Sequence, residues 1–226
     1  MSESDQIQPR PTREAARQAL LDAATDVFLA DGFRAARVQA IAERAGVRLS
    51  AINYHFGNKE GLYHAVLQHH ADMALKFAPL PPLETNRPLE ERFRQVVYAI
   101  VHRFLDPANP SRIGSLLVRE AANPTGVLEM MFNQYTRPQS QLIFAFLQEC
   151  FGGHAQADLL ARAALSVMGQ VVIYVGFRPL IELFRPGFYE RDSALNDLID
   201  HITTFSWAGI QALVNQEKNQ GKEATQ

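Results

Sequence analysis

Residues 37–62, RVQAIAERAGVRLSAINYHFGNKEGL, constrain the fold more than any other stretch. They give two short helical segments, about Val38–Ala45 and Leu49–Phe56, separated by too few residues for anything but a tight turn. Ala42, Ala45, Gly46 and Val47 are compact, so two helix axes can cross closely there. Gly46 suits the left-handed position that ends a helix, because it lacks the Cβ that makes this conformation costly. A further helix begins at once near Asn58, a good N-cap residue. The second short helix carries Ser50, Asn53, Tyr54 and His55, polar groups able to reach phosphates and base edges. This is the layout of a helix-turn-helix that enters a DNA groove.

Charge agrees only locally. The whole chain of 226 residues has a net charge of −2 at pH 7, which excludes a generally basic nucleic-acid coat. Residues 34–59, however, set Arg34, Arg37, Arg44, Arg48 and Lys59 against Glu43 alone. A surface of that sign can neutralise phosphates and release their counterions, although a solvated charged face has the same composition.

Outside this segment the spacing predicts helices throughout. From Thr12 to Asp31, Ala16, Leu20, Ala23, Val27 and Phe28 repeat at helical intervals, with Thr12 and Glu14 as the start and Asp31-Gly32 as the stop. The helix from Asn58 uses Leu62, Tyr63, Val66, Leu67 and Ala74. Four prolines lie within residues 78–88, which read as a linker between domains. Pro88–Leu105 is amphipathic, residues 111–122 form a short helix, and Asn123-Pro124-Thr125-Gly126 is a turn. A long helical pattern then runs to Phe151, with a kink or break expected at Pro138. Helices follow at about 155–177 and 192–215, separated by an irregular stretch between Pro179 and Pro186-Gly187. The expected organisation is a disordered arm over 1–11, a DNA-binding domain over 12–77, a Pro-rich linker over 78–88, a helical effector-binding and dimerisation domain over 89–216 and a disordered tail over 217–226. The fold class is all-α: an N-terminal three-helix helix-turn-helix domain and a C-terminal helical bundle.

Several chemistries are absent from the sequence. His64, His69 and His70 lack cysteine or paired carboxylate companions at ligand spacing, so no metal is expected. No Gly-rich phosphate loop, GxSxG elbow or HExxH motif occurs, so neither a catalytic residue nor a cofactor is assigned. A single cysteine, Cys150, rules out an internal disulfide and sits in an apolar stretch. The longest apolar run, Ala163–Phe177, is short for a membrane span and contains Gln170. A cytoplasmic protein without a membrane partner is expected.

The chain resembles the TetR family of bacterial transcriptional regulators. The resemblance rests on Phe28-Leu29-Ala30-Asp31-Gly32-Phe33, on Val38, Ile41-Ala42 and Ala45-Gly46-Val47, and on Tyr54-His55-Phe56-Gly57-Asn58-Lys59-Glu60-Gly61-Leu62. It covers residues 12–70. Arg119-Glu120 ahead of Asn123-Pro124-Thr125, together with Asn53-Tyr54-His55-Phe56, resembles the subgroup with a CecR-like effector domain. Ala36 and Arg37 stand where the family often has Thr or Ser, which weakens the cap of the first reader helix by about 1 kcal/mol. Arg48-Leu49-Ser50 replaces the common Ser-x-Gly.

The resemblance implies a homodimeric repressor that a small-molecule effector releases from a palindromic operator in double-stranded DNA. Alternatives are a small-molecule binding protein with a degenerate reader, and an activator without ligand. Arg37, Arg48, Ser50, Asn53, Tyr54, His55 and Lys59 are the candidate DNA contacts. Asn53 either pairs with adenine or caps a backbone group, and Lys59 is placed to hold a phosphate at a helix N-terminus. His102, Phe104, Glu120, Met131, Tyr135, Met168, Gln170, Tyr174 and Arg178 are candidates for the effector site, with ordinary core packing as the alternative for the apolar ones, a surface or structural role for the polar ones, and pairing with a nearby Arg for Glu120. Gly169, Gly176, Ile202 and Phe205 are candidates for the dimer interface, with packing inside the chain as the alternative for the two glycines.

Overall fold

The computed structural model describes residues 12–82 and 86–223, and every regular element among them is a helix. The helices are α1 (Arg13–Ala35), α2 (Val38–Arg44), α3 (Ser50–Phe56), α4 (Lys59–Phe77), α5 (Leu89–Leu105), α6 (Ile113–Ala122), α7 (Leu128–Met131), α8 (Arg137–Cys150), α9 (Ala157–Gly176), α10 (Arg178–Phe184) and α11 (Ala194–Glu223). The arm expected over 1–11 lies outside the described residues, as do 83–85 and 224–226.

The chain forms two compact units, Met1–Gln68 and His69–Gln226. Their division falls inside α4 rather than at the prolines of 78–88. Side chains near the end of α4 explain this. His70, Ala71 and Ala74 are buried, and the His70 ring nitrogen Nδ1 accepts the Arg112 N–H at 3.1 Å. The Ser111 hydroxyl donates to the His70 carbonyl at 2.7 Å. The second half of α4 therefore belongs to the larger unit.

In the first unit the Thr12 hydroxyl caps α1 by accepting the Ala15 N–H at 3.2 Å. Gly32, at φ +79°, breaks the helix at the expected Asp31-Gly32 stop, and one further turn follows to Ala35. Leu20, Leu21, Ala24 and Phe28 of α1 are buried with Ile41 of α2, Ile52 of α3, and Leu62, Val66 and Leu67 of α4. Each such large side chain contributes about 1.5–3 kcal/mol by leaving water. Phe28 meets Tyr63 edge to face at 4.8 Å, a geometry that suits the opposed charges of ring edge and ring face.

The core of the second unit joins Phe93, Val97, Ile100 and Val101 of α5 to Phe146 and Leu147 of α8, Leu159, Ala163, Val167 and Val171 of α9, and Leu198, Ile199, Ile202 and Trp207 of α11. Pro138 breaks the helical pattern as its missing N–H requires. Ahead of it the chain widens into a π-helical turn over Phe132–Thr136, and α8 starts with the proline in its first turn. Pro179 also lies in the first turn of a helix, α10, so the stretch expected to be irregular is partly helical. The last helix continues to Glu223, so residues 217–223 are helical rather than a disordered tail. Gln216, Glu217 and Lys218 are good helix formers, and no proline intervenes. By length and composition α9 could cross a membrane, contrary to the expectation, because it begins at Ala157 and adds Leu159 and Leu160 to the apolar run. Here its buried stripe enters the core of the bundle.

One ion pair, between a buried arginine and a half-exposed glutamate, fastens α5 to α8. Arg92, only 4% exposed, donates two parallel bonds to Glu149 at 2.8 and 2.7 Å. The guanidinium holds the Glu149 carboxyl below its ordinary range. A carboxylate whose pKa is depressed by folding adds stability above its unfolded pKa, and that stability is lost as pH falls through the folded value. Because the Glu149 side chain is 46% exposed, water screens the pair, and Glu149→Gln should lower stability at neutral pH by about 1 kcal/mol or less. It should also flatten the acid limb of a stability-versus-pH curve measured by urea unfolding between pH 7 and 3. The neighbouring Cys150 thiol is pushed up to about 11 by burial, which makes it a poor nucleophile.

Candidate functional site

The reader is built from α2 and α3. Gly46, at φ +67°, ends α2. The Val47 N–H reaches the Ala42 carbonyl at 3.0 Å and the Gly46 N–H reaches Glu43 at 3.1 Å. These two bonds form a Schellman cap, which satisfies carbonyls that a helix end leaves open. The first turn of α2 is less well finished. Arg37 stands at the cap position with no side-chain bond, as its lack of a hydroxyl dictates. After α3, Gly57 turns the chain at φ +79°, and the Asn58 side chain caps α4 by accepting the Gly61 N–H at 2.8 Å. Gly61 lies so close to the end of α3 that an added Cβ would sit 2.0 Å from the Phe56 carbonyl oxygen.

This frame buries Ile52 and leaves Arg37, Arg48, Ser50, Asn53 and Tyr54 exposed; His55 is half-buried. The Asn53 amide makes no hydrogen bond among the described residues, so it caps nothing within them. Lys59 is less free than expected. Its Nζ donates to the Arg34 carbonyl at 3.2 Å and lies 4.8 Å from the centre of the Phe33 ring, so it helps to close the unit. Arg44 is paired with Asp26 at 2.6 Å, which removes one of the counted positive charges. Asp26 lies outside the window over which charge was summed. In compensation α1 brings Arg13 over the Tyr54 ring at 5.3 Å and Arg17 over Phe56 at 5.6 Å. These two cations were not foreseen, although their i, i+4 spacing places them on one helix face.

The second unit holds an apolar cavity of about 180 Å³. Of the nine effector candidates, Phe104, Met131, Tyr135 and Met168 line it. The other five candidates do not. The His102 ring nitrogen Nδ1 lies 2.6 Å from Asp106, and Asp106 also accepts the Ala108 N–H, so this pair serves the loop after α5. Glu120 accepts both the N–H and the hydroxyl of Thr125 at 2.8 Å and closes the Asn123–Gly126 turn. Gln170 donates to the Ser206 hydroxyl at 2.8 Å and ties α9 to α11. Tyr174 and Arg178 line a separate, polar hollow of about 430 Å³. Arg178 also covers the Tyr189 ring at 4.4 Å. Polar side chains near an apolar core most often meet backbone or turn groups first, and for His102, Glu120 and Gln170 these bonds fit the structural role that was the alternative for them. Arg103 and Gln139, which were not foreseen, line the apolar cavity.

The dimer candidates separate in the same way. Ile202 is fully buried in the core and cannot face another chain. Gly176 packs inside the chain, since a Cβ there would lie 3.0 Å from Val118 of α6, whereas Gly169 has open space around it. Phe205 is 67% exposed. Around it α11 exposes His201, Ala208, Gly209 and Ala212, spaced so that they share one face.

Known proteins carry both units. The N-terminal model of the tetR family of bacterial regulatory proteins matches residues 20–66. The model of the C-terminal domain of the HTH-type transcriptional dual regulator CecR matches residues 89–210. The HTH-type transcriptional activator FasR of Mycolicibacterium smegmatis is 30% identical over 203 residues, covering 89% of this chain and 85% of its own. RutR of Escherichia coli K12, an HTH-type transcriptional regulator, is 46% identical over 66 residues, covering 29% of this chain and 30% of its own. Among solved structures, a TetR-like transcriptional regulator from Rhodococcus sp. RHA1 superposes with a TM-score of 0.58 at 20% identity, over 90% of this chain and 98% of that one. By the helix-turn-helix of its first unit, the matches on both units and a relative alike along most of its length, the chain belongs to the TetR family: it is a DNA-binding transcriptional regulator and not an enzyme.

Proposed function

We propose that the chain is a homodimeric, ligand-responsive regulator that binds a palindromic operator through α3 and leaves it when a small molecule fills the cavity of the second unit. The observation that carries this is the pairing of an exposed reader helix with an apolar cavity along one chain. A single helix-turn-helix makes few base contacts, so two copies reading half-sites about one DNA turn apart, or a multiple of it, supply specificity. Support for the second copy is the apolar surface of the last three helices: Leu165, Ile173, Leu180, Leu183, Phe184 and Phe205 are each exposed by 48% or more. Exposed apolar patches of this kind are usual where another protein docks. Arg37, Arg48, Ser50, Asn53, Tyr54 and His55 are the proposed DNA contacts, joined by Arg13 and Arg17. Lys59 holds the reader closed and lends its charge to the same face.

α4 is the proposed link. It begins with the Asn58 cap in the reader and carries Ala71, Ala74 and Leu75 into the cavity wall. An effector acts only if it prefers one of two α4 arrangements over the other. The sign of regulation is proposed as repression; the activator named among the relatives favours the alternative that the same reader recruits rather than blocks transcription. The proposed place of work is the cytoplasm, beside the DNA.

The test is a mobility-shift titration on the DNA upstream of the coding region, with Asn53→Ala beside the unaltered protein. A base-reading Asn53 loses about 1–3 kcal/mol on the operator and almost nothing on random DNA. Equal losses on both would remove Asn53 from base reading, and no preference for upstream DNA in the unaltered protein would remove the proposal.

A further inference from the structure

Two arginines of α5 are buried, and they are treated differently. Arg92 has the carboxylate of Glu149 in two parallel bonds. Arg103, 8% exposed, has no carboxylate partner among the described residues. Its Nε donates to the Ala78 carbonyl at 2.5 Å and its Nη1 to Gln139 Oε1 at 3.2 Å, both neutral acceptors. Its Nη2 is buried without a partner. Burial pushes the guanidinium down to about 10, so it stays charged at neutral pH. Arg103 lines the apolar cavity, whose walls contain no Asp or Glu. A buried charge without a counter-charge is costly, and a carboxylate presented to an arginine fork is the partner that best offsets that cost.

We infer that the effector is an apolar carboxylate, with its carboxylate on Arg103 and Gln139 and its hydrocarbon against Ile100, Leu117, Met131, Ile143 and Met168. This rests on the cavity being the effector site. One guanidinium among apolar walls matches a single negative charge rather than a dianion. The polar groups Gln139, Ser140, Thr136 and Tyr135 come from one stretch of chain, which gives the cavity a polar end for a head group. The present volume takes a molecule of about benzene size. The flexible thioether side chains of Met131 and Met168 can re-pack to admit a longer one.

The experiment is isothermal titration of the full chain with octanoate, 1-octanol, octylamine and 4-propylbenzoate. Octanoate or 4-propylbenzoate should bind at least tenfold more tightly than octanol, and octylamine least of all. The tighter of the two acids tells whether the natural carboxylate is alkyl or aromatic. Arg103→Gln should bring acid and alcohol to the same affinity, and Arg103→Lys should keep part of the preference. If Arg103→Gln does not fold, the acid-to-alcohol ratio of the unaltered protein decides alone. Equal binding of octanoate and octanol, both abolished by the cavity-filling Ile143→Trp, would overturn the carboxylate while leaving the cavity as the effector site. Binding of none of the four would overturn both.

Discussion

Gly61→Ala should destabilise the reader more than the same change at Gly46 or Gly57, where an added Cβ meets nothing within 4 Å. The new Cβ would stand 2.0 Å from the Phe56 carbonyl oxygen and 3.2 Å from its carbon. Both are backbone atoms at the end of α3, so no rotamer change relieves the contact. Intrinsic propensity pulls the other way, since alanine is better than glycine in a helix by about 1 kcal/mol. A clash with backbone outweighs that gain, because overpacking costs about 1–3 kcal/mol even where side chains can yield. Relief requires α4 to shift at its start, which breaks the Asn58 cap and moves α3. We expect a net loss on the order of 3 kcal/mol, a fall in melting temperature of roughly 6–12 °C, and loss of operator binding. Gly46→Ala is the control. That position has open space but a φ of +67°, so its cost is about 1–2 kcal/mol of backbone strain with the reader still assembled. Calorimetry and a mobility shift on both variants check this; unchanged melting and unchanged binding in Gly61→Ala would show that α3 and α4 do not approach as described.

The second large effect is expected at Phe205→Glu. The side chain is 67% exposed, so the chain loses little core, and the variant should keep the helicity and melting behaviour of the original. In the proposed dimer, two copies of this residue lie on the shared face of α11, where buried glutamates would repel each other and lose their water. The protein should run as a monomer in analytical ultracentrifugation. Operator affinity should fall by roughly 100-fold or more, because each half-site is then read without the effective concentration that the partner supplies. A dimer of unchanged strength would place the interface elsewhere.

What the sequence revealed divides by distance along the chain. Gly46, the Asn58 cap, the Thr12 cap and the break before Pro138 all follow from neighbours within a few residues, and each is where local rules put it. The core stripes were legible for the same reason. Ile202 and Phe205 show the limit: both are apolar and three residues apart, and only the packing of α11 against α5 and α9 decides which one is buried. Arg103 was missed because a basic residue in the last turn of a helix usually meets solvent or the helix dipole. Its partners, Ala78 and Gln139, are 25 and 36 residues away. Arg44 was counted as free because Asp26 sits 18 residues earlier on α1. Glu120 and Gln170 fell to turns and helix ties that no periodicity announces.

The most direct measurement is selection of bound fragments from a genomic DNA library by the purified full chain, at near-physiological salt. The account predicts enrichment of one palindromic motif, with half-sites about one helical turn apart or a multiple of it, and its loss on adding the carboxylate that fills the cavity. Recovery of fragments without a shared motif, with binding that only tracks salt concentration, would contradict it.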